Sequence, residues 1–250
     1  MSLTVLILAG SRAEGDPLAV HEGLPAKALI ELGGQPMLAR VVTAVRAAGA
    51  DRIAVSASHP EVTALAHALG CEALPARGGP SESAAEAFRH LGAPMLLTTA
   101  DHALLDPQWV RHLADTHPAG ADLSVLLARR ETIEQAAPGT RRTYLRLADG
   151  HWSGCNLFYL ATPAAGAALD LWRQVERDRK RPWRIAARLG PGLLLRYLLG
   201  RLTMRAAIAR LGRLADLRAE VVESPFGLAA VDVDKPADLA LVRTLIAAQG

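Results

Sequence analysis

Basic side chains and a glycine follow the first hydrophobic segment of this 250-residue chain. The apolar run Leu3–Leu8 leads into Gly10 and Arg12, and Lys27 comes after a short polar loop. Gly10 lets the backbone approach an anion closely, so that backbone N–H groups can face its oxygens. Arg12 offers a planar fork of donors and Lys27 a compact charge, which are complementary ways of neutralising phosphate groups. The sequence therefore predicts a triphosphate site at the end of this strand.

Acidic residues follow two other apolar segments. Asp101 comes after a buried-strand pattern, and Asp232 and Asp234 alternate with valines at a predicted last strand, 229–233. Alternation along a strand would put Asp232 and Asp234 on one face. Because Mg2+ binds one or two carboxylates together with phosphate oxygens, we expect Asp101, Asp234 and Asp232 to hold Mg2+. The alternatives are structural, since Asp101 could cap a turn and Asp234 could cap the helix that follows it.

Three other residues are candidates for binding an acceptor molecule. Gly154 permits close backbone approach, although it could equally mark a β-bulge. Asn156 offers both a donor and an acceptor, and His102 lies beside Asp101. Cys155 is predicted to be a small packed residue, because no His or Asp has the spacing expected of a nucleophile's partner.

A glycine-containing loop before a predicted helix is a second candidate for nucleotide contacts. The loop includes Gly79, and the helix predicted over 81–91 has Ser81 as its N-cap and Ser83 in its first turn. Backbone amides and hydroxyl groups at a helix N-terminus can bind a phosphate or read the edge of a base. An ordinary helix cap is equally consistent with this pattern.

The segments between these motifs alternate between strand and helix patterns. Strands are predicted at 3–8, 52–56 and 94–98, and helices at 37–48, 60–69, 81–91 and from 107 to about 116. Further β-rich segments are predicted at 122–128, 143–147 and 152–160, and helices at 163–177 and from 236 to about 248. This order favours a three-layer α/β fold, in which helices flank a Rossmann-like, mostly parallel mixed sheet. Such folds bind ligands at the carboxyl ends of the strands, and we treat 1–250 as a single domain.

Composition excludes several classes of protein. Half of the residues are apolar and 21% are charged, which is typical of a soluble α/β protein. No uninterrupted apolar run reaches the roughly 18 residues of a membrane span, and the first residues lack the basic region of a signal peptide. The two cysteines, Cys71 and Cys155, provide neither a disulfide framework nor a metal-binding spacing. We therefore expect a cytoplasmic protein.

The net charge of +3 conceals a strongly basic segment. Ten of the 28 Lys and Arg residues lie between Arg179 and Ala215, where no acidic residue occurs. The other 18 basic residues face 25 acidic ones, which is a balance of −7. We predict a helical insertion at 178–218 within the domain. Its few aromatic residues and the acidic remainder of the chain argue against a nucleic-acid partner.

Three interpretations of residues 182–213 stay open. They could form a helical subdomain that packs on the sheet or makes a homodimer contact. They could form a lid whose arginines meet an anionic acceptor. Alternatively, they could make a peripheral contact with an anionic membrane surface, since basic amphipathic segments with Trp and Tyr suit such interfaces.

The motifs together resemble the nucleotidyltransferases of the glycosyltransferase-A type, specifically the MobA-like NTP transferases similar to molybdenum-cofactor guanylyltransferases. The resemblance rests on Leu8-Ala9-Gly10-Ser11-Arg12, Pro25-Ala26-Lys27-Ala28-Leu29, Gly34-Gln35-Pro36-Met37-Leu38, Thr99-Ala100-Asp101, Gly154-Cys155-Asn156 and Asp232-Val233-Asp234-Lys235-Pro236-Ala237-Asp238-Leu239. It spans the chain apart from roughly 178–218. The terminal Asp-Val-Asp pattern is also similar to that of sugar-phosphate, polyol-phosphate and lipid-precursor cytidylyltransferases, and it favours them.

The resemblance implies that the chain transfers NMP from an NTP, with CTP or GTP favoured, to a phosphorylated small-molecule or lipid-precursor acceptor. The acceptor phosphate would attack the α-phosphorus and release pyrophosphate, with Mg2+ as the cofactor. Arg12, Lys27 and Asp101 would be catalytic. The nucleotide contacts would be Leu8, Ala9, Gly10, Ser11, Arg12, Lys27, Gly79, Ser81, Ser83 and Ala100.

Two other functions compete with nucleotidyl transfer. A glycosyltransferase that consumes a nucleotide-sugar shares the expected fold, but it does not require the predicted triphosphate site. A noncatalytic nucleotide-binding regulatory protein would bind the NTP without releasing pyrophosphate.

Overall fold

The computed structural model describes residues 3–10, 15–178 and 190–248. The strands are β1 (Leu3–Ala9), β2 (Glu31–Leu32), β3 (Gln35–Pro36), β4 (Ala50–Ala57), β5 (Glu72–Pro75), β6 (Met95–Thr99), β7 (Leu123–Arg129), β8 (Leu145–Leu147), β9 (Gly150–Leu160) and β10 (Ala219–Ser224). The α-helices are α1 (Pro17–His21), α2 (Met37–Ala47), α3 (Pro60–Ala68), α4 (Pro80–Leu91), α5 (Pro107–Asp115), α6 (Arg130–Ala136), α7 (Gly166–Arg177), α8 (Pro191–Leu198), α9 (Met204–Leu214) and α10 (Pro236–Ala247). Short 3-10 helices occur at Lys27–Leu29, Pro163–Ala165 and Gly227–Ala230.

One mixed sheet organises the described residues. Its strand order is β10-β7-β9-β6-β1-β4-β5, with β8 paired to β9, and β2 and β3 form a separate hairpin. The pairs on either side of β1 are parallel, whereas β9 runs antiparallel to β6 and β7. The predicted α/β fold with a mostly parallel mixed sheet is confirmed.

Apolar side chains cover both faces of this sheet. Val5, Ile7 and other buried residues of one face pack with helices α2, α3 and α5. On the opposite face, Leu6 and Leu8 pack with α4 and α7. The strand β1 is apolar on both faces because it is central, as expected for a buried parallel strand. Its carboxyl end therefore opens into the edge where neighbouring strands also end.

Two predictions about local structure are wrong. The segment 229–233 is not a strand, because the 3-10 helix Gly227–Ala230 and an extended segment outside the sheet occupy it. Val231 and Val233 are fully buried in a cluster with α1 and α10, so their apolar pattern reflects core packing and not strand pairing. The last strand of the sheet is β10, which the sequence pattern did not predict. Helix α4 begins one residue earlier than expected, with Gly79 and not Ser81 as its N-cap.

The described part of the predicted insertion contains α8 and α9. Met204 is buried and Ile208 partly buried on α9, where they pack with Leu127, Trp152 and Val221 of the sheet. Thr203 caps this helix by accepting the N–H of Ala206 at 3.3 Å. In the described ranges no helix is long and apolar enough to cross a membrane.

Candidate functional site

Lys27 lies at the centre of a charged cluster beside the carboxyl ends of β1 and β6. It begins the 3-10 helix Lys27–Leu29, which the buried side chains of Ala26 and Ala28 anchor to the core. Its Nζ lies 2.7 Å from Oδ2 of Asp101 and 3.0 Å from Oδ1 of Asp234. The structure thus brings together three residues that the sequence singled out.

Asp101 owes its position to the pairing of β6 with β1. The two strands are parallel, with Leu8 opposite Thr99, and the N–H of Ala100 donates to the carbonyl of Leu8 at 2.9 Å. Gly10 is the first residue after β1 and Asp101 the second after β6, so both lie at adjacent strand ends. A side chain at Gly10 would meet Cβ of Ala76 at 3.4 Å, which places the loop after β5 at the same edge.

Asp234 reaches the cluster from the segment before α10. The N–H of Val233 donates to the carbonyl of Asp101 at 3.0 Å, which fixes this segment against the end of β6. The carboxylate of Asp238, and not that of Asp234, accepts the N–H groups of Asp234 and Lys235, each at 3.2 Å. The carboxylate of Asp234 is therefore directed to Lys27 and is not used as a helix cap.

The electrostatics of Lys27 keep it protonated. Burial alone would lower the pKa of Lys27, but the carboxylates of Asp101 and Asp234 outweigh that effect and raise it. One ammonium group bridging two carboxylates shows that these carboxylates are close enough to share a single cation. The Oδ1 atom of Asp101 is buried and accepts no hydrogen bond from the described residues.

These observations fit a divalent cation held partly by phosphate. No group of three or more His, Cys, Asp or Glu residues in the described ranges is arranged to hold a metal ion. Mg2+ does not need such a group, because one or two carboxylates with phosphate oxygens and water complete its shell. Asp101, with its unpartnered oxygen, and Asp234 are the residues suited to this role.

Asp232 lies in a neighbouring cluster, where it contacts Arg142 and Asn156. Arg142 forms an ion pair with Oδ1 of Asp232 and donates to its carbonyl at 2.7 Å, and Nδ2 of Asn156 donates to Oδ2 at 2.7 Å. Burial raises the pKa of Asp232, although Arg142 opposes this shift. Both carboxylate oxygens of Asp232 are thus engaged by side chains. The predicted alternation holds, because Val231 and Val233 are buried and Asp232 and Asp234 are not, although this extended segment pairs with no strand of the sheet. The neighbouring carboxylates of Asp234 and Asp101 also raise the pKa of Asp232.

Asn156 adopts a left-handed backbone conformation, with φ of 49°. It lies where the pairing of β9 with β7 shifts register between Val125 and Leu127, and this local distortion directs its amide to Asp232. Gly154 is exposed, and nothing lies within 4 Å of the position that a side chain would take there. Two of the three residues predicted to bind an acceptor therefore lie on β9, and Asn156 is hydrogen-bonded to the acidic segment.

His102 does not face this site. It is fully buried and its ring packs on Trp109, with centroids 5.6 Å apart. Burial lowers the pKa of His102 to about 4, so the ring is neutral at physiological pH. The expectation that His102 contacts an acceptor is not met, because its side chain belongs to the core. Burial also raises the pKa of Cys155 to about 12, in agreement with a packed thiol.

The loop before α4 is engaged by α7. Ser81 is buried, and its hydroxyl and N–H both donate to the carboxylate of Glu176. The hydroxyl of Ser83 accepts the N–H of Arg77 at 2.8 Å and donates to the carbonyl of Gly79 at 2.9 Å. These serines therefore shape the loop, and a carboxylate occupies the N-terminus of α4.

Of the remaining predicted nucleotide contacts, some lie at strand ends and the others lie outside the residues that the structure describes. Leu8, Ala9 and Ala100 are buried, so their contribution to a ligand would be limited to the backbone. Ser11 and Arg12 lie outside the described residues. Sequence reasoning missed Arg142 and Glu176, whose partners lie 90 and 95 residues away in the chain with no motif to connect them.

A family model and curated relatives both match this chain, and both describe enzymes that transfer nucleotides. The model of a family described as the MobA-like NTP transferase domain matches residues 5–219. A 3-deoxy-manno-octulosonate cytidylyltransferase of Yersinia pseudotuberculosis is 31% identical over 121 residues, which cover 45% of this chain and 48% of the relative. The chain thus matches about half the length of the curated relatives.

Two solved structures extend the similarity over the whole fold. A hypothetical transferase from Thermus thermophilus is 33% identical, with a TM-score of 0.82, and covers 96% of this chain and 100% of its own. A CMP:2-keto-3-deoxy-manno-octonic acid synthetase complexed with CTP is 18% identical, with a TM-score of 0.59, and covers 100% of both chains. At that identity the second structure shows a shared fold.

Proposed function

The chain belongs to the family of MobA-like NTP transferase domains, and from this premise we propose that it transfers CMP from CTP to a small anionic acceptor. The observation that carries the proposal is the contact of Lys27 with both Asp101 and Asp234 at the edge where β1 and β6 end. A cation and two carboxylates at the carboxyl ends of parallel strands suit a metal-bridged triphosphate. The choice of CTP rests on the cytidylyltransferase among the curated relatives.

The proposed reaction is one displacement at phosphorus. An oxygen of the acceptor, which is a phosphate or a hydroxyl of a sugar acid, forms a bond to the α-phosphorus of CTP. A phosphate oxygen attacks as the anion, whereas a hydroxyl gives up its proton to water as the bond forms. The bond from that phosphorus to the α–β bridging oxygen breaks, and pyrophosphate leaves with its electron pair. Most of the barrier reduction comes from alignment and charge neutralisation, as in other phosphoryl transfers.

The chain's own residues divide this work between them. Lys27 neutralises phosphate charge, and it exchanges one of its carboxylate partners for phosphate oxygens when the nucleotide binds. Asp101 and Asp234 would hold Mg2+, which supplies charge neutralisation at the phosphates. Gly10 allows the strand end to approach the triphosphate, and Arg12 is proposed as a second phosphate contact. Asn156, fixed by Asp232, is proposed to face the acceptor.

Pyrophosphate release tests the proposal directly. The protein is incubated with Mg2+, each of the four ribonucleoside triphosphates, and sets of sugar phosphates, polyol phosphates and sugar acids. We expect acceptor-dependent pyrophosphate release with CTP and a larger thermal shift with CTP than with GTP, UTP or ATP, because binding to the folded state stabilises it. Transfer from a nucleotide-sugar without pyrophosphate would establish a glycosyltransferase instead. A thermal shift with an NTP but no release under any condition would indicate a regulatory protein.

A further inference from the structure

Helix α8 and the turn after it form an exposed apolar patch. Five large side chains between 194 and 199 are 44% to 71% exposed, namely Leu194, Leu195, Tyr197, Leu198 and Leu199. Elsewhere in the described residues, the exposed large hydrophobic side chains are those of Val20 and Leu145 alone. Exposed apolar residues are normal when scattered, but five within six positions mark an interaction surface. We call residues 194–199 the leucine patch.

The patch is attached firmly to the rest of the fold. Leu202 is buried just after it, and the N–H of Ala148 donates to the carbonyl of Leu202 at 2.8 Å. The carboxylate of Asp149 accepts the N–H of Met204 at 3.0 Å, which fixes the start of α9. Because α9 already packs its apolar side on the sheet, it does not cover the leucine patch.

Positive charge accompanies the patch along the chain. Arg196 lies within it and Arg201 follows it, and both are exposed. On α9, Arg213 is exposed, whereas Arg205 is paired with Glu220 at 3.5 Å. Within the described ranges, no ion pair involves Arg196, Arg201 or Arg213. No acidic residue occurs between Arg179 and Ala215, so nothing in this stretch of sequence neutralises these side chains.

We propose that the leucine patch and its arginines dock on the surface of an anionic lipid membrane. Leucine and tyrosine side chains at the headgroup boundary with arginines beside them are the composition of an interfacial helix. Phosphate headgroups also supply the negative charge that the segment itself lacks, and each arginine near such a surface contributes about fivefold to binding. At eight residues, α8 would lie in the interface and not cross it.

A second copy of the chain fits this surface less well. About a twofold axis the same patch meets itself, so the contact would bring two copies of the same basic surface together. The patch offers no acidic residue to relieve that repulsion. Charge complementarity therefore favours an anionic lipid surface over self-association.

Vesicle flotation tests this proposal independently of any catalytic activity. The full chain is mixed with vesicles of phosphatidylcholine alone or of phosphatidylcholine with phosphatidylglycerol, at low and at high salt. We expect flotation with the anionic vesicles at low salt, little with the neutral vesicles, and a decrease at high salt. Absence of flotation with anionic vesicles, or equal flotation with neutral ones, would overturn the proposal.

Surface variants separate the two contributions. Leu195→Ser with Leu198→Ser, and Arg196→Ser with Arg201→Ser, should each weaken binding at least about tenfold. Leu145→Ser is the matched control, since it removes an equally exposed leucine outside the patch. Unchanged thermal unfolding shows that each variant is folded. Vesicle binding that survives both double substitutions contradicts the assignment, and so does a patch-dependent dimer that binds no vesicles.

Discussion

The N–H of Val233 donates to the carbonyl oxygen of Asp101 across 3.0 Å, which joins two segments that are 132 positions apart in the sequence. This backbone contact holds the segment that carries Asp234 beside Asp101, and it involves neither carboxylate. Lys27 then occupies the space between the two acidic side chains. The arrangement is therefore built into the backbone, and it should persist when a nucleotide replaces one of the lysine contacts.

Replacement of Asp101 should abolish turnover. Asp101→Ala removes a proposed metal ligand and one of the two partners of Lys27, so we expect the loss of measurable pyrophosphate release. Asp106→Ala is the matched control, because Asp106 follows the same strand but caps α5 by accepting the N–H of Gln108 at 2.7 Å. That control should cost about 1 kcal/mol of stability and leave turnover intact. Retention of more than about a tenth of kcat in Asp101→Ala, a barrier change below ~1.4 kcal/mol, would remove Asp101 from the chemistry.

Replacement of Lys27 should impair both nucleotide binding and turnover. Lys27→Met keeps most of the side-chain volume but leaves two carboxylates facing each other without a counter-charge. We expect kcat/KM for the NTP to decrease at least about 100-fold, as when one charge-stabilising donor is removed from an active site. Lys235→Met is the control, since Nζ of Lys235 contacts the carbonyl of Arg141 at 3.1 Å and not a carboxylate. Steady-state kinetics with both variants decide the matter, and unchanged kcat and KM in Lys27→Met would exclude the role.

Strands β1, β4 and β6 at the centre of the sheet could be predicted from sequence because each contains an apolar run, whereas the short edge strand β5 was not predicted. The segment 229–233 misled the prediction, since Val231 and Val233 are buried without pairing in the sheet. Strand β10 was not predicted because Glu220 and Glu223 interrupt its apolar pattern. Periodicity reports burial, and it does not distinguish burial by sheet pairing from burial by loop packing.

The candidate site also contains residues that could be predicted from sequence and residues that could not. Asp101, Asp234 and Lys27 could be predicted because each belongs to a motif with a chemical rationale. Arg142 could not, since its ion pair with Asp232 depends on how distant loops meet and leaves no local pattern. Such contacts follow from the tertiary structure alone.

The pair formed by Arg142 and Asp232 should contribute to stability as a unit. Arg142→Met leaves a mostly buried carboxylate without its counter-ion, so we expect the free energy of unfolding to decrease by about 3 kcal/mol at neutral pH. Adding Asp232→Asn to Arg142→Met should restore part of that loss, because the unpaired charge is gone. Urea denaturation of wild type, both single variants and the double variant measures the coupling. Additive effects of the two substitutions would show that the contact does not matter for folding.

The pH dependence of the Arg142→Met variant has a definite sign. Burial already raises the pKa of Asp232, and removal of Arg142 takes away the group that opposes this shift. The folded state then binds a proton at a higher pH than the unfolded state does, so acidification favours folding at this residue. The stability difference between Arg142→Met and wild type should therefore shrink between pH 7 and pH 5. A difference that grows on acidification would contradict the assignment.

Buried His102 should make the protein less stable in mild acid. Its pKa is lowered to about 4 in the folded state from a usual value of 6.5, so the unfolded state binds a proton that the folded state does not accept. The contribution of His102 is complete above pH 6.5 and is lost as the pH falls towards 4, which amounts to about 2 kcal/mol between pH 7 and pH 5.

His102→Phe keeps a ring against Trp109 but cannot titrate. Urea unfolding at pH 7 and pH 5 should show a smaller loss for His102→Phe than for wild type, while His67→Phe, at an exposed position, should retain the wild-type loss. Equal losses in all three proteins would mean that His102 does not control acid stability.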